Sequence, residues 1–179
     1  MVILIGGSSH VGKTLLSQKL LEKYKYPYLS LDHLKMGLIR TNMTDLTVND
    51  DYEMRSFLFP IAAEIIKTAI ENKQNLIVEG CYIPSNWKEY FTDLYLKEIR
   101  CVFIVMSEEY LNNNIDLVID KASVIENRTC DVVNKDRLIK CSNDFKNDAI
   151  KSNTPYIEIE KTYDIDYLVR KVEEICLEN

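Results

Sequence analysis

Glycine and proline are scarce in this sequence, and the few glycines are unevenly placed. The 179 residues contain five glycines and four prolines, and Gly6, Gly7 and Gly12 all lie near the amino terminus. No stretch is rich in proline, glycine or serine, and no repeat or long block of one charge is present. Because linkers and disordered segments have such compositions, we predict one domain over residues 1–179, long enough to bury a sizeable core.

Further absences exclude several classes of function. No apolar run approaches the roughly 18 residues of a membrane-spanning helix, and a strand pattern starts directly after Met1 without a charged leader. Five cysteines form an odd number with no C-x-x-C pair, which favours reduced thiols over disulfides or a zinc site. The net charge of −6 argues against a basic stripe for nucleic acid. We therefore expect a cytoplasmic protein with neither a membrane nor a nucleic-acid partner.

The strongest positive signal is the stretch 2–14, VILIGGSSHVGKT, in which four apolar residues run into a glycine pair. Gly7, Gly12, Lys13 and Thr14 fill every fixed position of the phosphate-binding pattern G-x-x-x-x-G-K-[ST], the P-loop. The context also fits, because an apolar strand pattern precedes the loop and leucines at helical spacing follow it. A plain strand-to-helix turn would not need most of the glycine of a glycine-poor chain.

The chemistry of this pattern is the binding of a polyphosphate. Backbone N–H groups of the loop, and of the helix that follows, can surround phosphate oxygens. The Lys13 ammonium can neutralise the β- and γ-phosphates of ATP, and the Thr14 hydroxyl can ligate the Mg²⁺ that bridges them. We expect His10 to contribute its backbone N–H, with its imidazole directed toward solvent. The predicted nucleotide-binding residues of the loop are Gly7, Ser8, Ser9, His10, Val11, Gly12, Lys13 and Thr14.

Short apolar runs alternate with helical patterns along the chain, which is typical of an α/β fold with a parallel sheet. The first helix is predicted over Gly12–Tyr24, and a turn that contains Pro27 ends it. The predicted strands are Val2–Ile5, Tyr28–Leu31, Leu76–Glu79, Cys101–Met106 and Tyr156–Ile159.

The remaining helical patterns carry more specific expectations. A long helix is predicted over Asp51–Lys73, with a kink or a break at Pro60. An amphipathic helix is predicted through Trp87–Tyr95, with its aromatic side chains in the core. Ser107 and Asp164 are predicted to be the N-cap residues of the helices that follow them, because their side chains can accept a hydrogen bond from a free backbone N–H.

Two acidic residues follow predicted strands at the edge where parallel sheets bind ligands. Asp32 is predicted to accept the proton of an acceptor hydroxyl as it attacks the γ-phosphate; the alternative is that it caps a helix beginning at His33. Glu79 is predicted to hold Mg²⁺ directly or through water. A single Glu followed by Gly80 favours a phosphotransferase over an ATP-driven motor. A strand-end carboxylate without a role is disfavoured, because an unpaired buried charge is costly.

Two arginines are further candidates for contacts with the acceptor. Arg40 follows the predicted short helix after Asp32, and it is either a clamp for a substrate anion or a solvated surface charge. Arg55 lies toward the same crevice, and its alternative is a surface ion pair. The candidate substrate-binding residues are therefore Asp32, Arg40, Arg55 and Glu79.

Three segments together, VILIGGSSHVGKT, YLSLDHLKMGLIR and NLIVEGCYIP, resemble the small P-loop kinases related to nucleoside-monophosphate kinases. They are most similar to the group of 2-phosphoglycerate kinase, chloramphenicol phosphotransferase and zeta-toxin. The resemblance covers the chain well through Pro84, and it implies a three-layer fold with strand order 2-3-1-4-5 and Glu79-Gly80 beside the acceptor. The chain lacks the D-x-D and glycine triplet of shikimate kinases and the G-x-P-G-x-G-K-G of adenylate kinases, so the resemblance does not identify the acceptor.

The same resemblance implies an arginine-bearing lid after the fourth strand, in the region of about residues 108–150. Arg128 is the first candidate for closing on the phosphates and stabilising the charge of the transferring group. Arg137 is the second candidate, and for each residue the alternative is a solvated surface charge. The loop Glu160–Tyr163 is implied to lie where related kinases hold the purine base.

These observations predict an ATP- and Mg²⁺-dependent phosphotransferase that moves the γ-phosphoryl group to a hydroxyl of a small-molecule acceptor. Lys13, Asp32 and Arg128 are the predicted catalytic residues. Two alternatives stay open at this point: a nucleoside or nucleotide kinase, which differs in its acceptor, and a nucleotide-binding ATPase switch that acts through a protein partner.

Overall fold

The computed structural model describes residues 1–121 and 134–178 of the chain. Within these ranges, the strands form a single parallel sheet of five members. The strands are β1 (Val2–Gly7), β2 (Tyr28–Ser30), β3 (Leu76–Glu79), β4 (Ile99–Met106) and β5 (Tyr156–Ile159). Their spatial order is β2-β3-β1-β4-β5, so the expected order 2-3-1-4-5 is confirmed.

Helices cover both faces of this sheet. None of the described helices combines the length and the apolar character that crossing a lipid bilayer requires. The helices are α1 (Lys13–Tyr24), α2 (Leu31–Arg40), α3 (Asp51–Glu71), α4 (Asp93–Leu96), α5 (Glu108–Asp120), α6 (Lys135–Lys151) and α7 (Ile165–Cys176), with a short 3₁₀ helix at Trp87–Tyr90.

The central strand β1 lies between β3 and β4, with Val2 opposite both Leu76 and Ile99. Every residue of β1 is buried, and so is nearly all of β4, as expected for parallel strands covered on both faces. One apolar cluster packs α3 and the second half of α6 against the sheet, and a second cluster packs α1, α5 and α7 against the other face. The sheet is therefore the rigid middle layer from which the loops project.

The structure corrects two expectations about helix boundaries. The helix α2 begins at Leu31, so Asp32 lies in its first turn and is not its N-cap residue; the capping alternative for Asp32 is wrong. The helix α3 continues without a break through Pro60. Leu58 and Phe59, which precede this proline, are fully buried, and their packing holds the helix together despite the missing N–H of the proline.

The predicted helix through Trp87–Tyr95 is wrong. The 3₁₀ helix and α4 are separate, because Phe91 adopts an extended backbone conformation with φ −130° and ψ 143°. This conformation lets the Phe91 ring pack with its centroid 6.3 Å from that of Trp87, and both side chains are buried as expected. Leu94, in contrast, is 75% exposed. The burial of the Trp87 and Phe91 rings therefore determines the backbone conformation at Phe91, although the periodicity of the sequence predicts a helix.

Both predicted N-caps are confirmed. Ser107 Oγ accepts a hydrogen bond from the Tyr110 N–H at 3.0 Å. Asp164 Oδ1 accepts from the N–H groups of Asp166, at 2.9 Å, and Tyr167, at 3.1 Å. Each side chain therefore satisfies donors that have no partner within the helix.

We predict that Asp164→Ala lowers the free energy of unfolding by about 1 kcal/mol, because α7 loses the acceptor for two backbone donors. Asp164→Asn is the matched control, since its amide oxygen can still cap the helix. The measurement is urea unfolding followed by circular dichroism. Equal midpoints for the alanine variant and the unchanged protein would contradict the capping role.

Candidate functional site

The loop between β1 and α1 needs glycine at two positions. Gly7 has φ 135° and Gly12 has φ 82°, conformations that other residues rarely adopt. A Cβ on Gly7 would lie 2.0 Å from the carbonyl oxygen of Ile104, and one on Gly12 would lie 2.0 Å from Tyr163 Oη. Gly12 is also the N-cap of α1 and offers no side-chain cap. The first N–H groups of α1 are therefore available to an anion.

Lys13 holds a positive charge against this loop. It is the first residue of α1 and is only 7% exposed. Its Nζ donates a hydrogen bond to the carbonyl oxygen of Ser8 at 2.8 Å, so the side chain turns back over the loop. A buried ammonium group at a glycine-rich loop and a helix N-terminus is an arrangement suited to a polyphosphate.

The two predicted metal ligands lie together. Thr14 Oγ1 donates a hydrogen bond to Glu79 Oε1 at 3.2 Å, and Glu79 is buried at the end of β3 with 1% exposure. The pairing of β1 with β3 places Ile5 opposite Glu79, and this register brings the carboxylate to the loop that follows β1. Strand pairing therefore positions the Glu79 carboxylate beside the Thr14 hydroxyl at the start of α1.

These two oxygen donors fit Mg²⁺, which prefers oxygen ligands and is commonly held by one or two carboxylates with waters and phosphates. In residues 1–121 and 134–178 no group of three or more His, Cys, Asp or Glu side chains could hold a metal ion. A Mg²⁺ ion at Thr14 and Glu79 would thus depend on phosphate and water oxygens for its other ligands. Such an ion belongs to a bound nucleotide rather than to the protein alone.

Asp32 lies at the same edge of the sheet. It follows β2, whose last residue, Ser30, pairs with Glu79. The Asp32 carboxylate is 31% exposed and lies 3.5 Å from Lys35 Nζ, and the Lys35 side chain is only 12% exposed. Asp32 is therefore a partly exposed carboxylate with a shielded ammonium group beside it.

A chain of polar contacts extends from Asp32 across the crevice, and we call its five members, Asp32, Lys35, Tyr82, Asp51 and Arg137, the crevice network. Lys35 Nζ donates to Tyr82 Oη at 2.6 Å, and Tyr82 Oη donates to Asp51 Oδ1 at 3.0 Å. Asp51 Oδ2 in turn accepts from Arg137 Nη2 at 2.6 Å. The network joins the first turns of α2, α3 and α6 to the segment after β3.

The pKa of the Cys81 thiol depends on charged side chains of this region. Its pKa is raised to about 11, first by burial and then by the Asp32 carboxylate, against the opposing ammonium groups of Lys13 and Lys35. The charges of Asp32, Lys13 and Lys35 therefore all act on the pKa of this one thiol.

The predicted arginines occupy different environments. Arg55 forms no ion pair with a residue that the structure describes. Its Nη2 donates to the Cys81 carbonyl oxygen at 3.1 Å, and its Cζ lies 5.0 Å from the Phe145 ring centroid. Arg40 is exposed at the last residue of α2. The Arg137 side chain is 74% exposed and pairs with Asp51. Arg128 lies outside the described residues.

Two expectations about the loop surroundings have different outcomes. His10 was expected to direct its imidazole toward solvent, but both ring nitrogens are shielded from solvent, so that expectation is wrong. His10 also has a positive φ of 65°. In the predicted purine loop Glu160–Tyr163, the Tyr163 hydroxyl lies against Gly12, and burial raises the pKa of Tyr163 to about 12.

Sequence reasoning missed Ser142, which ties α6 to the phosphate-binding loop. Ser142 Oγ lies 2.8 Å from Ser8 Oγ and accepts a hydrogen bond from the Met106 N–H at 3.3 Å. It also missed Lys35 and Tyr82. The spacing of Lys35, three residues after Asp32 on a helix, was the one local signal for an ion pair.

We predict that Cys81 reacts slowly with iodoacetamide at pH 8 and faster as the pH rises toward 11, because only the thiolate reacts. Asp32→Asn removes a charge that raises the pKa of Cys81, so it should accelerate the reaction. Lys35→Met should slow it. Peptide mapping by mass spectrometry measures the rates, with Cys176, whose pKa is raised to about 12, as the internal control. An unchanged Cys81 rate in Asp32→Asn would show that the two groups do not interact.

Comparison with solved structures supports the assignment of the fold. A sugar kinase from Janibacter sp. HTCC2649 superposes with a TM-score of 0.60 at 10% identity, covering 97% of this chain and 92% of that chain. A gluconokinase from Sinorhizobium meliloti 1021 has a TM-score of 0.53 at 15% identity, covering 95% and 87%. A shikimate kinase from Bacteroides thetaiotaomicron has a TM-score of 0.53 at 16% identity, covering 100% and 99%.

No family model and no curated protein sequence matches the chain. The similarity to solved structures, at identities of 10% to 16%, therefore concerns the fold. It does not select the 2-phosphoglycerate kinase, chloramphenicol phosphotransferase and zeta-toxin group suggested by the sequence motifs. The three-layer architecture and the strand order agree with these structures. The chain has the fold of the P-loop kinases.

Proposed function

We propose that the chain is a Mg²⁺-dependent kinase that transfers the γ-phosphoryl group of ATP to a hydroxyl of a small molecule. The observation that carries the proposal is that the Thr14–Glu79 pair and Asp32 lie at the same edge of the sheet, where Lys13 turns back over the loop that follows β1. The fold neighbours add support, because their names specify a sugar kinase, a gluconokinase and a shikimate kinase.

The phosphate side of the reaction belongs to the loop and to α1. Backbone N–H groups of residues 7–12 and of the first turn of α1 bind phosphate oxygens, and Lys13 neutralises their charge. Thr14 and Glu79 hold Mg²⁺, which supplies charge neutralisation at the β- and γ-phosphates when it is bound. These groups position the triphosphate and stabilise negative charge, which is the main contribution of a protein to phosphoryl transfer.

The acceptor side belongs to the crevice network. Asp32 accepts the proton of the acceptor hydroxyl as the hydroxyl oxygen attacks the γ-phosphorus. The Lys35 ammonium group, 3.5 Å from the Asp32 carboxylate, holds this side chain in position on α2. Arg55 and Arg40 are the proposed contacts to the acceptor. Arg128 and Arg137 remain the proposed groups for closing on the phosphates, and Arg137 would have to exchange Asp51 for a phosphate to do so.

The two alternatives differ from this proposal in what stimulates ATP consumption. A nucleoside or nucleotide kinase shares the mechanism and differs only in the acceptor. An ATPase switch would respond to a protein partner rather than to a small hydroxyl compound. The position of Asp32 at the same edge of the sheet as the Thr14–Glu79 pair favours the kinase, because a switch needs no base for an acceptor hydroxyl.

We predict Mg²⁺-dependent ATP consumption that a hydroxyl compound stimulates, and we expect a screen to find that compound. The screen covers sugars, phosphorylated acids, nucleosides and aminoglycosides. Lys13→Ala should lower kcat/KM by about 10²- to 10³-fold, as expected for removing one group that stabilises the transition-state charge. Lys19→Ala, which changes an exposed lysine of α1, is the control. Stimulation by a protein partner alone would instead support the switch.

We predict that Asp32→Asn lowers kcat by about 10²- to 10⁴-fold, the range for loss of a general base, while the affinity for ATP stays the same. Asp45→Asn, at an exposed position between α2 and α3, should have no effect. Steady-state kinetics measures turnover, and calorimetry measures nucleotide binding. Full turnover in Asp32→Asn would remove the proposed base from the mechanism.

A further inference from the structure

A cavity of about 220 Å³ lies at the amino-terminal edge of the sheet, at the end opposite the phosphate-binding loop. It exists because β4 begins at Ile99, whereas β5 begins only at Tyr156, opposite Phe103. The first residues of β4 therefore extend beyond the end of β5 and form one wall. Other walls come from the 3₁₀ helix, from the residues just before β5 and from α7.

The lining is largely apolar but carries two cations. Trp87 and Ile99 are buried side chains of this lining. Lys88 Nζ donates to the Ser152 carbonyl oxygen at 3.1 Å and lies 5.6 Å from the Trp87 ring centroid. Arg100 Nη1 donates to the carbonyl oxygens of Lys97, at 3.0 Å, and Ile99, at 3.2 Å. Among the described residues, the hydrogen bonds that Lys88 and Arg100 donate thus go to backbone oxygens.

In the described part of the chain, neither Lys88 nor Arg100 forms an ion pair with a carboxylate. The chain as a whole has 28 acidic against 22 basic residues, so two unmatched cations beside one apolar cavity are a local departure from the overall charge. An anionic group would satisfy them, and an apolar body would fill the rest of the cavity.

We propose that this cavity is a second ligand site, for a small organic anion with an apolar body, of the class of short-chain carboxylates. The carboxylate lies between Lys88 and Arg100, and the hydrocarbon packs against Trp87 and Ile99. The Trp87 Nε1 already donates to Thr154 Oγ1 at 3.4 Å, so the indole offers its ring and not its N–H. The volume is below the roughly 300–1,000 Å³ of pockets for drug-sized ligands, and this excludes a nucleotide.

The site can be tested directly, because Trp87 is the single tryptophan of the chain and is only 4% exposed. Its fluorescence is recorded while hexanoate, hexanol or hexylammonium is added to the whole protein at constant ionic strength. We expect a saturable change with hexanoate and an apparent Kd about tenfold lower than for hexanol, the effect of one charge-assisted hydrogen bond. The readout does not depend on kinase activity, so its outcome is separate from that of the proposed function.

Variants then locate the anion. Arg100→Gln and Lys88→Gln should each raise the apparent Kd for hexanoate about tenfold, whereas Arg100→Lys should keep most of the affinity and Lys19→Gln should keep all of it. Circular dichroism and urea unfolding verify that each variant is folded. Equal affinity for hexanol and hexanoate would overturn the proposal, and so would the absence of a saturable fluorescence change in the millimolar range. A fluorescence change on dilution of the protein alone would also overturn it, because it would indicate that a neighbouring copy covers the cavity.

Discussion

The parallel pairing of β1 with β3 is the constraint on which the candidate site depends. This register places Ile5 opposite Glu79, so β3 delivers its carboxylate where β1 turns into the phosphate-binding loop. The hydrogen bond from Thr14 to Glu79 then links the start of α1 to the end of β3. A slip of one residue would turn the Glu79 side chain to the other face of the sheet. Loop, helix and carboxylate are therefore positioned by one set of strand contacts.

The helix α6 contacts both the loop between β1 and α1 and the crevice network. Ser142 bonds to Ser8 of the loop, Arg137 pairs with Asp51, and the Phe145 ring lies against the Arg55 guanidinium. A shift of α6 would change all three contacts together. Of these contacts, the one between Ser142 and Ser8 is buried, and a buried hydrogen bond is strong in a low-dielectric interior. The geometry thus gives α6 the means to couple the two halves of the crevice.

Much of the fold, and the conformation of the loop between β1 and α1, could be predicted from the sequence, because these features depend on local sequence patterns. The loop pattern, the apolar strands and the caps at Ser107 and Asp164 depend on residues close in sequence. The crevice network and the contact between Ser8 and Ser142 depend instead on residues that are distant in sequence. Lys35 and Tyr82 are 47 residues apart, and Ser8 and Ser142 are 134 residues apart. The split of the predicted helix at Phe91 likewise depends on packing between rings, which periodicity does not report.

The central claim is that the loop between β1 and α1 binds the triphosphate of a nucleotide together with Mg²⁺. Isothermal titration calorimetry of the purified protein with ATP, in the presence of Mg²⁺ and again in excess EDTA, tests this claim most directly. The account predicts saturable binding at one site with Mg²⁺, and a large loss of affinity in EDTA, because the ion would link the phosphates to Thr14 and Glu79. Absence of ATP binding under both conditions would contradict it.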